Sequence, residues 1–129
     1  MKTLPLIALA TLVAFLPTMS PAHAADAKGK IRHVVCFKFK DGTTPEQIKK
    51  VEQDFAALKS KIPQIAAFEW GTNVSPEKHD KGFTHCFFLT FNSEKDRDAY
   101  LPHADHKAFA GSLGGIIADV FVVDYVVQK

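Results

Sequence analysis

Two periods run along this chain, and they sort it into strands and helices. From Ile31 to Lys40, His33, Val35, Phe37 and Phe39 alternate with Arg32, Val34, Cys36, Lys38 and Lys40, the period of two that a strand presents to its two faces. Asp41-Gly42 marks a turn, and Thr44 stands as an N-cap, with Pro45 at the first helical position and Gln47 completing a capping box. Ile48, Val51, Phe55, Leu58 and Ile62 follow at spacings of three and four, the stripe of an amphipathic helix that Pro63 ends. A second strand is predicted within Ile65–Val74, around Phe68 and Trp70, and a polar loop over Ser75–Gly82. Alternation returns over Phe83–Phe91, with Phe83, His85, Phe87, Leu89 and Phe91 on one face and Thr84, Cys86, Phe88 and Thr90 on the other. Ser93, with Asp96 three residues on, caps a short helix through Tyr100 and Leu101. Pro102 interrupts it, helix resumes from His103 to about Leu113, and Gly114-Gly115 ends it. Val120–Val127 is the last strand, apolar except for Asp124.

The resulting order, β-α-β-β-α-β, is that of a ferredoxin-like α+β unit, an antiparallel sheet with both helices on one face. The other face should then read as polar. It does not: Val34, Cys36, Cys86 and Phe88 lie opposite the histidine-bearing side, and the last strand is apolar on both. Leaving that surface in water costs on the order of 25 cal/mol per Å². A second copy packed sheet to sheet, in an isologous homodimer, is the expected solution; an aggregation-prone monomer is the competing outcome.

The ends and the composition narrow the function classes. Met1-Lys2, an apolar run over Leu4–Leu16, and Ala22-His23-Ala24 form the pattern of a secretory signal peptide. The run is about 13 residues, short of the roughly 20 that span a bilayer, so an exported protein (periplasmic or secreted) is expected, with a retained anchor as the competing reading. The chain thus divides into a leader over 1–24, a linker over 25–30 and one folded domain over 31–127. A formal net charge of +2 on 129 residues, with basic residues interleaved among acids, gives no basic stripe for nucleic acid or a membrane surface. Cys36 and Cys86 fall inside apolar strand patterns rather than loops, which favours small core residues over a disulfide, and no C-x-x-C spacing exists.

Candidate chemistry gathers on histidines. His33 and His85 share the large-apolar faces of their strands with Phe37 and Phe87. If the first and third strands are neighbours running parallel, as expected here, the two imidazoles sit side by side beneath the helices. Tyr100-Leu101-Pro102-His103-Ala104-Asp105-His106 then offers two further histidines three apart on one helix face. A buried imidazole without partners is costly, roughly 1–3 kcal/mol. Either these rings line a pocket in which one acts as a general base, or each bonds a backbone carbonyl or a neighbouring side chain. A site of several histidines on a metal is a third reading, which no carboxylate or cysteine in register supports.

Ile31-Arg32-His33-Val34-Val35-Cys36-Phe37-Lys38-Phe39-Lys40, Trp70-Gly71, Gly82-Phe83-Thr84-His85, Tyr100…His103…His106 and Val123-Asp124-Tyr125 fall in the order and spacing of one family. The chain resembles the stress-responsive A/B barrel (Dabb) domain family over essentially all of its folded part. That resemblance implies a dimeric α+β barrel built from two ferredoxin-like units. Carried over from a plant polyketide cyclase of the family, it implies His106 as the catalytic base and Tyr100 as its assisting group. His33 and His85 would be pocket histidines, Phe37 and Phe87 fall at pocket positions, and His103 stands for the first histidine of the family's His-Pro-x-His segment; these five are the expected substrate-binding residues. The implied reaction is proton abstraction by neutral His106 followed by an aldol-type closure, with no metal or organic cofactor. Most members have no known reaction, so a stress-related dimer that binds a small hydrophobic ligand without turnover stands first. A cofactor-independent lyase or cyclase is the alternative, and a related oxygenase is a third.

Overall fold

The capping signal at Thr44 is realised in full in the computed structural model, which describes residues 27–128. The Thr44 hydroxyl accepts from the Gln47 backbone N–H, and the Gln47 side chain accepts from the Thr44 backbone N–H. Helix α1 (Pro45–Lys61) follows, with Glu46 in its first turn and Lys59 and Lys61 in its last, each complementing the helix dipole. It is preceded by β1 (Ile31–Phe39) and followed by β2 (Ile65–Thr72), β3 (His85–Phe91), α2 (Glu94–Tyr100), α3 (Ala104–Ser112) and β4 (Ile117–Val126). The expected leader lies outside the described residues.

The strands form one sheet in the order β2-β3-β1-β4, every neighbouring pair antiparallel. This is the ferredoxin-like α+β arrangement expected from the element order, but the expected parallel run of β1 and β3 is wrong. The crossover through α1 returns β2 in the direction of β1, and β3, joined to β2 by a reversing loop, runs against both. Register completes the correction: His33 faces Leu89 and His85 faces Phe37. The two histidines share a face but stand about 13 Å apart along the strands, so they do not sit side by side.

One face of the sheet carries the core. Ile31, Val35 and Phe37 of β1, with Phe87, Leu89 and Phe91 of β3, are buried against Val51, Phe55, Leu58 and Ile62 from α1 and its C-cap. Aromatic rings dominate the packing: Phe55 lies 4.4 Å from Phe87 and 4.6 Å from Phe109, centroid to centroid, and Phe37 lies 5.3 Å from Phe87. Phe83, expected on this face, precedes the strand and meets Phe121 on the other one.

Among the described residues, that other face carries no helix. Arg32 donates to the Thr90 hydroxyl and lies over the Phe88 ring. Around them Val34, Cys36 and Phe88 are half-buried, while Cys86, Phe121, Val123 and Tyr125 are exposed. Edge strand β4 exposes apolar side chains on both faces, Val122 at 49% and Phe121 at 52%, as its unbroken hydrophobic run foretold.

Phe87→Ala should lower the unfolding free energy in a urea titration by about 3–5 kcal/mol. Thr44→Ala should cost about 1 kcal/mol through the lost cap, and equal effects would contradict this distribution of stability.

Candidate functional site

The helices cover the sheet unevenly. Where α2 hands over to α3, a cavity of about 390 Å³ opens between helices and sheet, within the range of small-ligand sites. Its floor is His33, Val35 and Phe37 of β1 with Val120 and Val122 of β4; Phe55, Tyr100, Leu101, His106 and Phe109 stand around it. The wall is mostly hydrocarbon, so the few polar groups on it decide what it can hold.

Tyr100 ends α2 fully buried, and its hydroxyl has no hydrogen-bond partner among the described residues. Its ring lies between the imidazoles of His33 and His106, at 5.7 Å and 4.3 Å between centroids. Burial first, and then the negative charge of Asp124, hold the phenol well above its ordinary range, so it stays a proton donor.

His33 is oriented from the edge strand. Its Nδ1 lies 2.5 Å from Oδ1 of Asp124, whose other oxygen accepts from Arg97 Nη1 at 2.6 Å. An ionised carboxylate only accepts, so Nδ1 of His33 carries a proton and donates it, which leaves Nε2 turned away from the pair. His106 is fixed in the same sense by a different partner: its Nδ1 donates to the Leu101 carbonyl at 2.8 Å, leaving Nε2 as the basic atom. That carbonyl is available because the chain breaks at Pro102. The Asp105 N–H that would claim it in an unbroken helix instead donates to Nδ1 of His103.

The other expected site residues lie elsewhere. His103 is the N-cap of α3, its Nδ1 accepting that bond, and it does not line the cavity. Phe87 is fully buried in the ring cluster and reaches no cavity wall. His85 is buried at the far end of the sheet, where Nε2 donates to Glu52 at 2.9 Å, Nδ1 accepts from the Thr84 hydroxyl at 2.9 Å, and Trp70 stacks on the ring. With both nitrogens occupied, His85 ties α1 to the sheet and has nothing left for a substrate held near Tyr100. It borders a larger, shallow recess of about 720 Å³ beside Trp70 and the β2–β3 loop. Size does not make that recess the better candidate: the smaller cavity holds the buried, unpartnered hydroxyl and the two oriented imidazoles.

The sequence profile described as Stress responsive A/B Barrel Domain matches residues 31–127. The chain belongs to the stress-responsive A/B barrel (Dabb) domain family. Among its relatives, the stress-response A/B barrel domain-containing protein HS1 of Arabidopsis thaliana is 39% identical over 100 residues, 78% of this chain and 92% of that protein. Olivetolic acid cyclase of Cannabis sativa is 26% identical over 99 residues, 77% of this chain and 98% of the cyclase. Of the solved structures, hydroxynitrile lyase from Passiflora edulis matches with a TM-score of 0.74 at 25% identity, over 79% of this chain and 96% of the lyase. A dimeric ferredoxin-like protein of unknown function from Bacteroides fragilis matches with a TM-score of 0.63 at 27% identity, over 77% of this chain and 97% of that one.

In this Dabb protein the cavity brings together His106, Tyr100, His33 and Phe37 of the expected residues, and adds two polar groups that sequence reasoning did not assign. Asp124 had a signal, as the one charge in the apolar run Val120–Val127. Arg97 had none: it sits among acids on a short helix, and only the fold brings it to Asp124.

Tyr100→Phe removes a buried hydroxyl that bonds nothing, so thermal unfolding should occur at the same temperature or higher. A loss of more than about 1 kcal/mol would show that the hydroxyl has an internal partner after all.

Proposed function

We propose that this Dabb protein is an exported homodimer that binds a small, mostly apolar molecule carrying a hydrogen-bond acceptor. The observation that carries the reading is the Tyr100 hydroxyl: a fully buried donor with no partner, on the wall of an apolar cavity. A buried unsatisfied donor costs about 1–3 kcal/mol; the Tyr100 hydroxyl is sealed from the cavity in this structure, and a carbonyl or hydroxyl oxygen on a ligand removes that cost once the neighbouring side chains shift to admit it. The dimer is supported by the apolar face that no helix covers and by the dimeric state of solved relatives. Export is supported by the leader pattern of residues 1–24.

A second reading, a cofactor-independent lyase or cyclase, is favoured by one specific observation. The Leu101 carbonyl holds His106 in the tautomer whose Nε2 is a base, directly against the Tyr100 ring. Among the relatives are a cyclase and a lyase by name. In that reading Nε2 of His106 takes a proton from a carbon next to a carbonyl. The Tyr100 hydroxyl donates to the developing oxyanion, and His33, braced by Asp124, donates or accepts at a second oxygen. An aldol-type bond then forms or breaks.

Acetophenone and ethylbenzene, alike except for the carbonyl, separate these possibilities. Acetophenone should shift NMR signals of Tyr100 and His106 at lower concentration than ethylbenzene does, and Tyr100→Phe should erase a preference of about tenfold. Equal binding of the two, or none, would sink the ligand reading. In D2O the second reading further expects faster deuterium incorporation at the acetophenone methyl, lost in His106→Ala; no acceleration leaves binding without turnover. Sedimentation should give twice the mass of the chain without its leader, and Phe88→Asp should split the assembly.

A further inference from the structure

The two glycines after α3 are left unexplained by the backbone. Helix α3 reaches its C-cap at Leu113 with right-handed backbone, and the Ile116 N–H then closes a turn on the Leu113 carbonyl at 3.2 Å. Neither Gly114 nor Gly115, the central residues of that turn, has the left-handed conformation expected of a glycine stop. A turn without left-handed residues accepts most side chains. Packing demands no glycine either: a Cβ at Gly114 would meet nothing nearer than the Gly111 carbonyl oxygen at 3.9 Å. Place separates the two, because Gly114 lines the cavity and Gly115 does not.

Around Gly114 the cavity opens to solvent. Its exposed lining residues are Leu101, Ala110, Gly114, Val120 and Val122, none with a charge or a polar side-chain atom. His33 and Tyr100 stand at the buried end. Polar groups are therefore inside and hydrocarbon is at the rim. Val120 and Val122, 47% and 49% exposed, form an apolar patch continuous with the cavity on the helix side of β4. A patch of that kind marks a ligand groove, and it faces away from the side on which a second copy is expected.

We propose that Gly114 is the specificity-determining position of this cavity. Its missing side chain leaves room for an apolar arm of the ligand to pass between the end of α3 and β4, onto Val120 and Val122. The ligand class narrows accordingly, to a carbonyl compound with its acceptor at the buried end and an unbranched hydrocarbon arm directed outward. A leucine at position 114 blocks the arm and leaves the inner end, with Tyr100 and both imidazoles, untouched. The inference rests on the ligand-binding reading of the cavity and deepens it.

The test compares acetophenone with para-butylacetophenone, which adds an arm opposite the acetyl group, by NMR titration of the whole protein. The wild type should bind the butyl compound about tenfold more tightly, as for an arm half removed from water. Nuclear Overhauser effects, which need no variant, should join the butyl protons to the methyls of Val120 and Val122. Gly114→Leu should abolish the gain while acetophenone binds within about twofold of the wild type. Gly115→Leu should keep the gain, which separates a blocked passage from a disturbed turn. Gly114→Ala should melt at the same temperature or slightly higher, because the backbone needs no glycine there. A wild type without the gain or the butyl contacts, as when another part of the dimer covers the rim, would overturn the proposal. So would a gain kept in Gly114→Leu or lost in Gly115→Leu, or a lowered melting temperature in Gly114→Ala. Should acetophenone itself fail to bind, the ligand reading falls and this inference with it.

Discussion

The pairing of β1 with its neighbours is the constraint from which the other features follow. It lies between β3 and β4, and alternation along it commits Ile31, His33, Val35 and Phe37 to the helices and Val34 and Cys36 to the opposite side. A slip of one residue would exchange those sets. Phe37 would leave the ring cluster, His33 would lose Asp124, and Cys36 would turn away from Cys86. The penalty is large because the helix-facing set is almost wholly buried, so the strand has one acceptable register.

Within that frame the cavity is organised by a single carboxylate. Asp124 has two oxygens and spends them on different elements, one on His33 of the central strand and one on Arg97 of α2. The arrangement satisfies the buried imidazole, neutralises the acid and anchors the edge strand to the helix that carries Tyr100. Tyr100 itself receives nothing from this network. A hydroxyl fully enclosed yet left out of an adjoining set of hydrogen bonds is a local cost that stability alone does not explain. The proposed ligand gives it a physical account.

Local signals and long-range ones were not equally legible in the sequence. Thr44, Pro45 and Gln47 name a helix start because the cap involves neighbours in the chain, and Pro63 and Pro102 end helices for equally local reasons. The burial stripe of α1 and the faces of β1 and β3 follow from period alone. Strand direction and register do not, because they join residues some fifty positions apart. That is why His33 and His85 were placed together when they lie at opposite ends, and why two cysteines that read as core residues prove to face each other. Of the residues expected by resemblance, Tyr100, His106, His33 and Phe37 line the cavity. That His103 and His85 lie away from the cavity was not legible, because a sequence does not show that Nδ1 of one ring caps a helix or that the nitrogens of the other meet Glu52 and Thr84.

The interruption at Pro102 has a consequence beyond ending a helix. Joined into one rod, α2 and α3 would return the Leu101 carbonyl to the main-chain ladder, and the His106 proton could settle on either nitrogen. The gap withdraws one acceptor from the backbone and lends it to a side chain. Protonation geometry is therefore written into the path of the main chain: a lengthened or shortened connection between the two helices would retune the imidazole while every group lining the cavity kept its identity.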